Sequence, residues 1–240
     1  MQVWQQSGFG QIAVGCEFYH ADRDVASAAG ISLRLEETHS AGSALNPPDF
    51  MPSSTNSPPH AAASVVENCP VLVATLGKQQ VETFLRAVHS QPRGQQYQAL
   101  KVTVCNGQPA TIGELTQTPF VVGLQKRRSG WEEPLIKIFE DGTTLSFRAV
   151  HSSDRRRIRL KGGLGISKLG EVREVRATCN GMPAIVQAPS AKRWQIDFDS
   201  TVEEGQSVLI GFVPTYAQKL VVYALLTVQT VVPDASVAAK

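Results

Sequence analysis

A chain of 240 residues with 42% hydrophobic residues can bury a sizeable core, as one large β domain or two small domains. Its 23 basic and 21 acidic residues leave a formal charge of +2, so the whole chain offers no electrostatic basis for holding nucleic acid or an acidic membrane surface. The longest apolar run, residues 220–232, is broken by Thr227, Gln229 and Thr230 and falls short of the roughly 20 residues a spanning helix needs, whereas a membrane strand of about 9–11 residues stays open.

Residues 1–15 show no basic segment followed by an apolar run, so the sequence reads without a secretory leader; either the chain stays inside the cell or its start lies upstream. Residues 12–18 alternate and predict a strand. Asp22 and Asp24 then predict caps for a helical turn over 25–29, ended by Gly30, and residues 31–35 alternate again. Between Ser40 and Ser64 proline, serine and asparagine crowd out any periodicity, which predicts a flexible insertion. Residues 71–76 predict a buried strand, and Val81, Phe84, Leu85 and Val88 fall at i, i+3, i+4 and i+7, predicting a helix over 78–90 that docks one narrow stripe on a sheet.

Beyond Pro92 the text alternates with period two over 101–105, 143–150, 156–160, 193–202, 207–213 and 220–232, separated by Asn-Gly, Asp-Gly, Gly-Gly and Glu-Gly turn signals. This predicts a largely antiparallel all-β second half. Trp194, Ile196 and Phe198 share one face of their strand, with Arg193, Gln195, Asp197 and Asp199 on the other. Arg155, Arg157, Arg159 and Lys161 form a basic stripe opposite Ile158 and Leu160, read as a solvated outer face because no stacking aromatics interleave with it. Residues 220–226 are apolar on both faces, as in a strand between two layers.

Signals for chemistry are sparse. Cys16, Cys69, Cys105 and Cys179 have neither Cys-x-x-Cys spacing nor a nearby histidine; they predict no zinc site and no obligatory disulfide, and apolar flanks such as Val104 beside Cys105 suggest small core residues. His20 with Asp22, and His39 with Glu36 and Glu37, set a base beside a carboxylate, but neither segment supplies a nucleophile. Lys161-Gly-Gly-Leu-Gly165 lacks the helix that a phosphate loop requires, so its glycines predict a β bend followed by turn-like text. Glu140-Asp141-Gly142 and Glu203-Glu204-Gly205 predict hairpin turns. The site prediction is therefore no catalytic, cofactor-binding or metal residue, and no cofactor.

Taken in order, several stretches resemble the secretin family of type II and type III secretion systems, in a variant common in planctomycete-type domains. Residues 71–73, the helix 78–90, Gln91-Pro-Arg93 and Ala99-Leu-Lys-Val-Thr-Val-Cys-Asn-Gly-Gln-Pro-Ala-Thr-Ile112 are similar to its signature. Thr118-Pro-Phe-Val-Val122, Glu140-Asp-Gly-Thr-Thr-Leu-Ser-Phe147 and Ser153-Asp-Arg-Arg-Arg-Ile-Arg-Leu160 resemble the strands that follow. Val186-Gln-Ala-Pro189, Val202-Glu-Glu-Gly-Gln-Ser-Val-Leu-Ile-Gly211 and Lys219-Leu-Val-Val-Tyr-Ala-Leu-Leu226 resemble the final ones, and residues 12–18 with Gly30-Ile-Ser-Leu33 the opening ones.

The resemblance spans about 11–232 and implies a mainly β fold with one or two helices, the protomer of an antiparallel, multi-layer β barrel. It divides the chain into opening strands at 1–39, the insertion at 40–64, the main module at 65–232 and a tail at 233–240. It implies a homo-oligomeric outer-membrane channel working with secretion-system components and protein cargo, with no nucleic acid and no enzymatic activity. The sequence departs from the family in lacking the small domains that precede this module, in having Gly211-Phe212 where two glycines are usual, and in a short basic segment, Gln125-Lys-Arg-Arg-Ser-Gly130, at the place of the gate hairpin. The alternative expectation is a soluble relative that binds partners through β edges without forming a pore.

Overall fold

Alternating β-branched and aromatic residues commit most of the chain to strands. The computed structural model, which describes residues 10–36, 64–67, 71–213 and 220–231, arranges those strands in two sheets. In chain order the elements are β1 (Gln11–Asp22), α1 (Val25–Ala28), β2 (Arg34–Glu36), β3 (Ser64–Glu67), β4 (Val71–Leu76), α2 (Lys78–Ser90), β5 (Gln95–Cys105), β6 (Pro109–Lys126), β7 (Glu132–His151), β8 (Arg157–Cys179), β9 (Met182–Glu203), β10 (Ser207–Phe212) and β11 (Leu220–Val231).

The first sheet runs β2-β4-β10-β11-β1-β5 with every neighbouring pair antiparallel. The second runs β3-β9-β8-β7-β6; its pairs are antiparallel except β3, which lies parallel to β9 beside Ala191–Trp194. The predominantly β, antiparallel reading is borne out. The main core lies between the sheets, where Phe18, Ile210, Phe212 and Leu226 of the first pack with Phe147, Leu160, Trp194 and Ile196 of the second. A second core backs the first sheet. Phe84 and Val88 of α2 meet Tyr19, Leu209, Tyr223 and Leu225 there, with Val81 and Leu85 partly buried beside them, so the predicted stripe docks as expected.

The residues of β11 from Val221 to Leu226 are buried on both faces, because one face meets the second sheet and the other the helices. Such a strand can be apolar throughout. Gly162 lies directly opposite both Phe147 and Phe198. A Cβ there would stand 2.2 Å from the Ser146 carbonyl oxygen, so the absence of a side chain lets the neighbouring strand and its aromatic ring close over the backbone.

Several local expectations are corrected. The region 162–170 is no bend with turn-like text: β8 runs on as strand to Cys179, held by β7, β9 or both except at the irregularity of Gly170–Glu171, where the β8–β9 register shifts. Asp141-Gly142 is likewise inside β7 and not a turn. Gly142 takes a φ of 143°, a Cβ there would meet the Glu114 carbonyl oxygen at 2.1 Å, and Asp141 accepts hydrogen bonds from the Leu169 N–H and Lys168 Nζ. The Asn-Gly signals at 106–107 and 180–181 and the Glu-Gly signal at 204–205 do make turns. Arg155 belongs to a turn with a φ of 56°, so the basic strand begins only at Arg157.

Of residues 31–35, only Arg34 and Leu35 enter a strand. Ile31 donates its N–H to the Ala26 carbonyl and is buried under the helices, which draws the segment off the sheet. Asp24 is the N-cap of α1, but neither it nor Asp22 supplies a side-chain cap. Residues 40–63 of the predicted insertion, and His39 and Glu37, lie outside the described residues; Ser64 already belongs to β3.

Candidate functional site: open edges and a distal hairpin lobe

Among the described residues, His20 and Asp22 form no reactive constellation. His20 is stacked on Tyr97 with ring centroids 4.2 Å apart, and burial lowers its pKa; the Asp22 N–H donates to Gln91 Oε1 at 3.0 Å. Neither lies beside a nucleophile within hydrogen-bond reach among the described contacts. Among the described residues no cluster of histidine, cysteine and carboxylate side chains suits a metal. Cys16 is buried, and its thiol pKa is raised by burial and by the nearby Glu17 charge. Cys105 is exposed, against the expectation of a core residue: Val104 faces the core, and with period two its neighbour must face out.

The basic stripe is matched by acids from the next strand. Arg159 donates to both carboxylate oxygens of Asp199, at 2.8 and 2.6 Å, and Arg157 lies 3.6 Å from Glu203. In the β8–β9 ladder Arg157 stands directly opposite Glu203, whereas Arg159, opposite Thr201, reaches diagonally to Asp199, which stands opposite Lys161. The outer face of the second sheet is therefore mixed in sign.

What the fold leaves open is backbone. Among the described residues β5 has β1 as its lateral strand partner and nothing beyond, and the first half of β6 has β7 and nothing beyond, so both sheets end on the same side, joined by the Asn106-Gly107 turn. β5 is 11 residues long and carries one charge, Lys101. Such an edge lacks the charges, proline or cover that keep edge strands from pairing with other chains. On the opposite side, among the described residues, the two sheets are closed only by β2, of three residues, and β3, of four, and residues 195–203 of β9 have β8 alone as their lateral partner.

Strand direction alternates through all six strands of the first sheet and through β6 to β9 of the second. Both runs are even in number, so opposite edges point in opposite directions. A second copy placed alongside in the same orientation would meet each sheet antiparallel.

Strands β6 to β9 also reach beyond the two-sheet core. Near the core β7 pairs with β8; farther out β6 comes against β9, where the Val121 N–H donates to Gln187 Oε1 at 3.2 Å. Phe120, Val122, Val186 and Pro189 are buried in this lobe, and Phe139 meets Phe120 edge-on. The two hairpin tips are clamped together. Asn180, with a φ of 51°, accepts the Glu132 N–H on Oδ1 at 3.0 Å and donates Nδ2 to the Glu132 carbonyl at 3.1 Å, while its own N–H reaches Glu132 Oε2 at 2.8 Å. Arg127 and Gln125 both bond Glu133, which lowers the carboxyl pKa and fixes the β6–β7 turn.

The lobe is unusually apolar outside. Of nine large hydrophobic residues exposed among those described, seven (Leu115, Trp131, Ile136, Ile138, Val172, Met182 and Ile185) belong to the outer parts of β6–β9 or the turns joining them. Trp131 is 68% and Met182 67% exposed. On β7, Pro134, Ile136 and Ile138 share one face, and their cross-strand partners Leu124, Val121 and Pro119 extend it into a continuous apolar band. No sequence argument pointed to this band, although the alternation Pro134-Leu-Ile-Lys-Ile138 was its visible signal.

No protein-family model and no curated protein matches the chain in sequence. Solved structures similar to it are secretins. The type IV competence pilus secretin PilQ of V. cholerae aligns at 13% identity with a TM-score of 0.43, covering 94% of this chain and 62% of that one. The Salmonella SPI-1 type III secretion injectisome secretin InvG aligns at 10% identity with a TM-score of 0.35, covering 95% and 66%. The chain thus spans less than two thirds of the length of the secretins it resembles.

Proposed function

We propose that this chain is the β module of a ring-forming channel protomer of the secretin type, contributing its two sheets to the two walls of a barrel in an outer membrane. The observation that carries the reading is the pair of open edges. Among the described residues both sheets end on one side in long, nearly uncharged strands and on the other in edges only partly covered, and strand polarity would continue unbroken from copy to copy. A protomer with this geometry pairs head to tail, and heterologous pairing of that kind yields a closed ring when the rotation per copy divides a full turn. The apolar distal band gives such a ring a region suited to lipid.

Native mass measurement in detergent and in plain buffer tests the reading. Discrete high-order species of fixed stoichiometry in detergent are expected. A monomer under both conditions and on lipid would overturn the channel and leave a β-edge interaction module.

A further inference from the structure

The near-neutral total charge hides an uneven distribution along β6–β9. Over residues 122–138 and 173–187, the outer ends of the two hairpins, six basic residues stand against three acidic ones, whereas at the neck below Glu140 and Asp141 are matched by Arg193 and Lys168. At the tip Arg127 is engaged by Glu133, whereas Lys126 and Arg128 are exposed and form no ion pair with the described residues. Beside them stands Trp131, at the end of the band formed by Ile136 and Ile138.

A basic pair next to an exposed indole and an apolar strand face suits the boundary of a bilayer with anionic headgroups. Indole rings settle at headgroup depth, cations meet phosphate, and the aliphatic face enters the acyl region. We infer that the clamped hairpin tips dock on an anionic lipid surface tip first, with Lys126 and Arg128 on phosphate and Trp131, Ile136 and Ile138 in the interface. This rests on the membrane-facing role proposed for the lobe and does not require a closed ring.

The test uses the full chain with phosphatidylcholine vesicles, with and without phosphatidylglycerol, and with brominated lipid as quencher. Binding to the anionic vesicles should be stronger, and K126E/R128E should weaken it at least about tenfold, in line with the contribution of two basic residues at such a surface. I136S/I138S should weaken binding to both kinds of vesicle. In a W4F background, bromolipid quenching should disappear in W131F, which keeps the buried Trp194 as a folding reporter. Equal binding to neutral and anionic vesicles, binding unchanged by both double substitutions, or quenching that survives W131F would each overturn the inference, as would burial of Trp131 by self-association without lipid. Native mass on the same samples separates this from ring formation: rings that ignore lipid charge refute the lipid inference alone, and lipid-bound monomers refute the ring alone.

Discussion

Gly162 and Gly163 are neighbours on β8 with opposite surroundings. A Cβ on Gly162 would strike the Ser146 carbonyl at 2.2 Å and the Phe147 Cα at 2.8 Å, both backbone atoms that cannot step aside; on Gly163 it would meet the tip of Asp197, a side chain free to turn. Gly162→Ala should therefore cost about 1–3 kcal/mol or more, and Gly163→Ala far less, as read by urea unfolding. Comparable effects would show that β7 is not packed so closely over Gly162. His151 is a second sensitive residue, buried at the end of β7 with neither ring nitrogen hydrogen-bonded. Burial and the Arg155 charge lower its pKa, with Glu204 opposing. Protonation then favours the unfolded chain: stability is full above the ordinary histidine value and is lost as pH falls through it towards the folded-state pKa. The unfolding midpoint should fall between pH 7.5 and 5.5, and His151→Phe should reduce that slope; a slope unchanged by the substitution would assign it to other groups, His20 among them.

At the scale of elements, α2 and the hairpin clamp carry distinct loads. Phe84 is fully buried between Tyr19 and Tyr223, so Phe84→Ala should lower stability by about 3–5 kcal/mol in equilibrium unfolding. Gln80 lies on the exposed side of the same helix, but its Oε1 accepts the Gly77 N–H at 2.9 Å, so Gln80→Ala loses a cap; Gln79→Ala is the better neutral control. Asn180→Ala removes two side-chain bonds to Glu132 and should raise amide exchange in 127–138 and 176–186 while leaving α2 unchanged. Exchange unaltered in both hairpins would mean that packing of Phe120 and Val186 alone joins them. Helix α2 was legible to the residue because its stripe is local in sequence. The course of β8 was not: its glycines read as breaks when taken alone, and only the aromatic residues on β7 and β9 explain why they sit in mid-strand.

For the molecule as a whole, the layered core was legible where one strand showed both its faces, as with Trp194, Ile196 and Phe198 or the doubly apolar β11. The open edges were not, since whether a strand is an edge depends on partners far away in the chain: β1 takes β11 on one side and β5 on the other. The apolar lobe escaped for a similar reason. Ile136 and Ile138 look like core residues until the partner sheet is seen to end below them. Average charge misled in the same way, because a sum over the chain hides the excess of bases at the hairpin tips.

Head-to-tail closure is tested most directly by cross-linking the two open sides. Thr111 on β6 and Gln195 on β9 are exposed on the same face of the second sheet. In a chain with Cys69, Cys105 and Cys179 replaced by serine, which keeps only the buried Cys16, T111C and Q195C would be made singly, mixed during assembly and treated with a flexible bis-maleimide. A T111C-to-Q195C adduct formed only in the mixture is the expected result. Adducts within T111C alone, which mark a twofold dimer joined through β6, or no adduct in a sample shown to be oligomeric, would contradict it.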